Sequence, residues 1–101
     1  MSEMYFETQN LTVEIDTEDD TLESHSNRRI YFIYTDPDGE ESAADYKAGS
    51  VTESTVMYAA LDPLEAGTYR VWAESDDASG SHCVSEAFLI PASARGTVRP
   101  T

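Results

Sequence analysis

Two histidines and one cysteine are the side chains of this 101-residue chain best suited to acid–base, nucleophilic or metal chemistry near neutral pH. His25 lies in a polar stretch, and His82 stands directly before Cys83. Neither histidine has a ligand-spaced partner, such as a second His four residues on with an acid nearby. His82 and Cys83 are neighbours on a strand-like run, so their side chains point to opposite faces and do not form a thiolate pair. The chain contains no phosphate-cradling glycine loop and no nucleophile elbow. These observations predict a non-enzyme with no catalytic residues, no metal ligands and no cofactor.

Carboxylates are abundant, with 20 Asp and Glu against 6 Lys and Arg and a formal net charge of −14. Phosphate would be repelled, which excludes nucleic acid as a partner, and the same holds for an anionic membrane surface. If the strands alternate in direction, Asp16, Glu18, Asp19, Asp20 and Glu23 share one end with Glu53, Asp76 and Asp77. Asp36, Asp38, Glu40, Glu41, Asp62 and Glu65 collect at the other. Neither group has EF-hand spacing, so solvated charge is the expectation and a calcium site the alternative. Lys47 is the one lysine, and an acidic, lysine-poor composition also suits a saline medium.

A different chemistry, that of protein contact, is carried by aromatic and arginine side chains out of phase with the core pattern. Arg70 and Trp72 point away from the inward face of their strand, and so do Tyr31 and Ile33 on theirs. Exposed aromatics and Arg dominate interface energetics. Arg95 and Arg99 place two of the six cations near the C-terminus, where a basic arm would dock on an acidic copy. The candidate interface is therefore Tyr31, Ile33, Arg70, Trp72, Arg95 and Arg99.

The elements that position these residues are strands. Short apolar segments recur at a spacing typical of sandwiches and barrels. Six are expected: residues 10–16, 29–35, 41–47, 55–60, 68–74 and 83–90. Leu11, Val13 and Ile15 alternate with polar residues in the first. The second has Ile30, Phe32 and Tyr34 on one face and Tyr31 and Ile33 on the other, so it should be central. The third is a weak edge. Val56 and Tyr58 should point inward on the fourth, Tyr69, Val71 and Ala73 on the fifth, and Val84, Phe88 and Ile90 on the sixth. Asp36-Pro37-Asp38-Gly39 and Asp76-Asp77-Ala78-Ser79-Gly80 read as hairpin turns. Residues 61–66 have room for a short helical turn.

The length suits one domain, and 40% hydrophobic residues with ten aromatics are too many for a disordered chain. A single cysteine excludes an internal disulfide. Met1 to Asn10 has neither a basic start nor an apolar run, so no secretory leader is expected. The expected organisation is an N-terminal arm over 1–9, one β-domain over 10–90, and a flexible tail without a pattern over 91–101.

Three stretches carry a likeness. They are Ile30-Tyr31-Phe32-Ile33-Tyr34-Thr35-Asp36-Pro37-Asp38-Gly39, Leu61-Asp62-Pro63-Leu64-Glu65-Ala66-Gly67-Thr68-Tyr69-Arg70-Val71-Trp72-Ala73-Glu74, and Ser85-Glu86-Ala87-Phe88-Leu89-Ile90. Together they resemble the small immunoglobulin-like domains of tailed bacteriophages, including the N-terminal domain type of phage baseplate upper proteins. The resemblance covers residues 10–90 and rests on turns and corners. It implies an all-β, immunoglobulin-like antiparallel sandwich of about six to seven strands. It further implies a non-enzymatic virion structural protein, assembled in the host cytoplasm as an adaptor in the tail, baseplate, fibre-attachment or collar region. Its partners would be other virion proteins in a symmetric, multi-copy assembly. A capsid decoration protein and a carbohydrate- or calcium-binding module are the alternatives.

Overall fold

The computed structural model describes residues 10–53 and 55–99. The chain is all-β, with nine strands in two sheets and one 3-10 turn at Leu22–Ser24 among these residues. The strands are β1 (Leu11–Asp16), β2 (Ser26–Thr35), β3 (Asp45–Ala48), β4 (Ser50–Glu53), β5 (Val56–Leu61), β6 (Thr68–Asp76), β7 (His82–Val84), β8 (Phe88–Pro91) and β9 (Gly96–Val98). Sheet A has the order β4-β5-β1-β9. Sheet B runs β3-β2-β6-β7, and β8 also pairs with β6. All pairs are antiparallel except β1 with β9, which is parallel.

Alternation explains where the core sits. Leu11, Val13 and Ile15 of β1 and Met57, Ala59 and Leu61 of β5 are buried from sheet A. Ile30, Tyr69, Val71, Ala73 and Ile90 meet them from sheet B in one cluster, with Phe32, Tyr34 and Phe88 packed against it. Each large side chain so removed from water contributes roughly 1.5–3 kcal/mol.

Two turns have one design. Asp36 Oδ1 accepts from the N–H groups of Asp38 and Glu40, and Asp77 Oδ1 accepts from those of Ser79 and Ser81. The glycine three residues after each Asp adopts φ +90, a left-handed conformation that costs glycine little. Asp supplies the local acceptor that such turns need.

The corner between β5 and β6 is built on Tyr69, whose hydroxyl donates to the carbonyl of Asp62 at 2.9 Å. Burial pushes this phenol above its ordinary value, and Asp62 and Tyr34 add to the shift, so it remains a neutral donor. Gly67 in the same corner has φ +99, and a Cβ there would lie 2.6 Å from the Thr35 carbonyl oxygen. No helical turn forms over residues 61–66.

Several sequence expectations are corrected. The described residues form nine strands rather than six or seven. The expected last strand, 83–90, is divided into β7 and β8. At the break, Ser85 bonds to Ala73 through its N–H at 2.9 Å and its Oγ at 2.8 Å. Val84 falls on the outer face and is exposed. On β5 the phase is opposite to expectation: Met57 and Ala59 face the core, and Val56 and Tyr58 are only half-buried. Val56 to Leu61 is apolar at every position, so a period of two cannot choose between its faces. Of the weak third segment, 41–47, only residues 45–47 are in a strand, which runs on to Ala48, with an isolated bridge from Thr35 to Glu41. Within the expected patternless tail, β8 reaches Pro91, Ala92 is fully buried, and β9 joins sheet A. The N-terminal arm over 1–9 lies outside the described residues.

Candidate functional site

The outward face of sheet B is set by register. Tyr31 stands opposite Tyr46 of β3 on one side and Trp72 of β6 on the other. Ile33 stands opposite Arg70, and Arg70 opposite Leu89 of β8. Arg29 and Val84 are both opposite Glu74. Because directly paired residues share a face, the inward packing of Ile30, Phe32, Val71 and Ala73 leaves this set pointing away from the core.

The face is organised as well as apolar. Tyr31 and Trp72 are stacked, with ring centroids 5.6 Å apart and 9° between planes. Tyr46 packs against Tyr31 at 5.4 Å. The Arg29 guanidinium lies 4.6 Å from the Tyr46 ring centroid and donates to the Tyr31 hydroxyl at 3.2 Å. Arg70 lies 5.9 Å from the Trp72 centroid. Trp72 Nε1 donates to Glu74 Oε2 at 2.6 Å. The exposed large hydrophobics of the described residues are Tyr46 at 47%, Val84 at 58% and Leu89 at 71%, and all belong to this sheet face.

The structure therefore brings together four of the six candidate interface residues, Tyr31, Ile33, Arg70 and Trp72. It places Arg95 and Arg99 elsewhere. Arg95 donates to the carbonyls of Ser93 at 2.6 Å and Ala94 at 3.0 Å, fastening its own turn. Arg99 pairs with Glu14 of sheet A at 2.8 Å. Sequence reasoning missed Arg29, Tyr46, Val84 and Leu89. Tyr46 lies in the weak edge segment, and Leu89 sits out of phase with Phe88 and Ile90, a signal of the kind that singled out Trp72.

At the rim, His82 lies 2.9 Å from Glu74 Oε1 and 3.0 Å from Asp76 Oδ1. Hydrogen bonds to Asp76 and then Glu74 raise its pKa above the ordinary 6.5. Asn27 and His82 hydrogen bonds lower that of Asp76.

A second cluster lies at the end of the molecule where the β1–β2 connection folds beneath the sheets. Leu22 is buried there, and the His25 side chain is 1% exposed. His25 Nδ1 is 2.8 Å from Ser75 Oγ, and Nε2 is 3.2 Å from Asp19 Oδ2. Cys83, opposite Ser75 in the register, also turns inward. The donor atoms of Asp19, His25 and Cys83 all lie within 4.8 Å of one another. Neither histidine has a ligand-spaced partner along the sequence, and it is tertiary folding that joins residues 58 positions apart (83 minus 25). A cavity of ≈ 110 Å³ is lined by Thr17, Asp19, His25, Ser75 and Cys83 among others. Burial is the main effect raising the Cys83 thiol pKa, with Asp77 and Asp19 adding to it, which disfavours a thiolate nucleophile. Ser75, at 4% exposure, lines this cavity, and its hydroxyl at 2.8 Å from Nδ1 holds the imidazole.

No family model, curated protein or solved structure matches the chain. Its own geometry defines an all-β protein of two sheets on one core, with an aromatic and arginine surface on the outer side of sheet B.

Proposed function

We propose that this chain is an immunoglobulin-like sandwich domain that acts by protein contact, as a non-enzymatic structural adaptor of a tailed virus particle. The strand order supports the fold: four strands face a sheet in which β2 and β6 are central, and β1–β2 and β5–β6 cross between sheets. The Tyr69 hydroxyl bound to the carbonyl of Asp62 matches the tyrosine corner that opens the corresponding strand in immunoglobulin-like domains. The virion setting rests on the turn and corner motifs of residues 30–39, 61–74 and 85–90.

The observation that carries the contact role is the joined surface of Tyr31, Tyr46, Trp72, Ile33, Val84 and Leu89 with Arg29 and Arg70. Contiguous apolar surface of this type marks interaction sites on otherwise charged proteins. Aromatic and Arg side chains are those whose truncation costs most binding energy. The surface stands on a body of net charge −14, so contact through this face avoids carboxylate-to-carboxylate repulsion between copies. A carbohydrate platform is less well supported, because Trp72 is already engaged by Tyr31, Arg70 and Glu74.

The test is quantitative mass spectrometry of purified particles, made with the wild-type chain and with Trp72→Ala. A stoichiometric copy number that falls sharply in the variant supports the reading. Absence of the wild-type chain from particles overturns the virion role, and unchanged incorporation of the variant overturns this face as the contact. A head or tail location separates capsid decoration from the tail adaptor.

A further inference from the structure

We propose that Asp19, His25 and Cys83 form a binding site for a borderline-soft divalent metal ion of the zinc type. The donors are a carboxylate, an imidazole nitrogen and a sulfur, mutually within 4.8 Å. Zinc bonds of about 2.0–2.3 Å in a tetrahedron separate donors by roughly 3.3–3.7 Å. The Asp19–His25 pair, at 3.2 Å, lies just under that spacing, and with Cys83 Sγ within 4.8 Å of both donors side-chain rotations alone would close the set around an ion.

The second layer is also in place. Ser75 Oγ at 2.8 Å from Nδ1 holds the His25 ring with Nε2 toward Asp19 and the cavity. Metal-binding histidines are held this way, the far nitrogen hydrogen-bonded so that the near one offers its lone pair. The cavity of ≈ 110 Å³ has room for an ion and the water that completes four-coordination. Asp77 lies close enough to act electrostatically on both Asp19 and Cys83, which adds negative potential at the site. Sulfur and imidazole donors select against calcium and magnesium. Binding releases the Cys83 proton to solvent as the thiolate–metal bond forms. The ion would tie the β1–β2 connection to β7.

Cobalt and zinc titrations of the full chain test this, with excess magnesium to occupy surface carboxylates. Cobalt should produce a thiolate charge-transfer band that saturates at one equivalent and is abolished by zinc. Zinc should raise Tm. Cys83→Ser and Asp19→Asn change residues outside the buried core, and each should weaken zinc at least about tenfold. Ser75→Ala should weaken it by about 10- to 100-fold through loss of ring orientation. His82→Ala is the control and should leave binding unchanged. Absence of the band in the wild-type chain, or equal zinc affinity in wild type, Cys83→Ser and Asp19→Asn, overturns the proposal.

Discussion

The outer faces of the two sheets are made from the same kind of strand and differ in chemistry, sheet B alone among the described residues carrying a stacked aromatic row. On sheet A, Thr12, Glu14 and Asp16 of β1 lie beside Val56, Tyr58 and Ala60 of β5, and Glu14 is tied to Arg99. On sheet B, Tyr46, Tyr31 and Trp72 form a row across three strands, flanked by Arg29, Arg70, Val84 and Leu89. Both sheets bury their inner faces against one core, so folding does not require the aromatics of the outer sheet B face. Solubility of an isolated domain would favour the sheet A composition on both sides. This difference is the ground for the proposed contact role of sheet B.

Breaking the aromatic row should give the largest effect. Trp72→Ala removes the centre of the surface, and a central interface aromatic is worth about 2 kcal/mol or more, roughly thirtyfold in Kd. Under the proposed contact role, partner binding measured by calorimetry should fall by that factor. Domain stability should fall by less, near the ~0.5–1.5 kcal/mol of an aromatic pair plus lost contact area. A stability loss with unchanged Kd would make the row a structural feature only.

Leu89→Ser sharpens the comparison, since Leu89 is the most exposed large hydrophobic among the described residues. Stability should stay within about 0.5 kcal/mol by denaturant unfolding. Partner affinity should fall by about tenfold or more, as expected when a buried interface leucine is lost. The reverse pattern would place Leu89 in the fold rather than the contact.

The matching change on sheet A should be small. Glu14→Gln breaks the exposed pair with Arg99, worth about 0.2–1 kcal/mol and reduced by salt. Partner binding should not change. A binding loss equal to that of Leu89→Ser would show that both faces make contacts.

The smallest effect concerns pH at the rim of sheet B. His82 has a folded pKa raised above 6.5 by Asp76 and Glu74. Its stabilising contribution is therefore fully present below the unfolded value and lost as pH rises through the raised folded value. Asp76 has a lowered pKa, so its contribution is present above its unfolded value and disappears only as pH falls through the lowered one. Tm should be slightly higher near pH ~6 than near pH ~9, and His82→Gln should remove part of that difference. An NMR titration of His82 at or below its ordinary value would contradict the geometry.

Much of the scaffold was legible because local rules act alone there. Leu11, Val13 and Ile15 could face only one way, and the Asp–Gly turns at 36–39 and 77–80 carry their own acceptor and left-handed residue. The outward positions of Tyr31, Ile33, Arg70 and Trp72 followed from phase. The phase of β5 was not legible, because both of its faces are apolar. Nor was β9, whose three residues are held by parallel pairing with β1 rather than by any pattern of their own.

The sequence by itself determined an all-β chain, its charge, its main strands and a set of side chains out of phase with the core. Tertiary structure alone decided that four of those side chains form one surface while Arg95 and Arg99 lie elsewhere. It alone carried His25 and Asp19 to Cys83. The physical reason is reach: alternation and turn chemistry act over a few residues. Register and sheet packing join residues far apart in the chain, and nothing local encodes which ones meet.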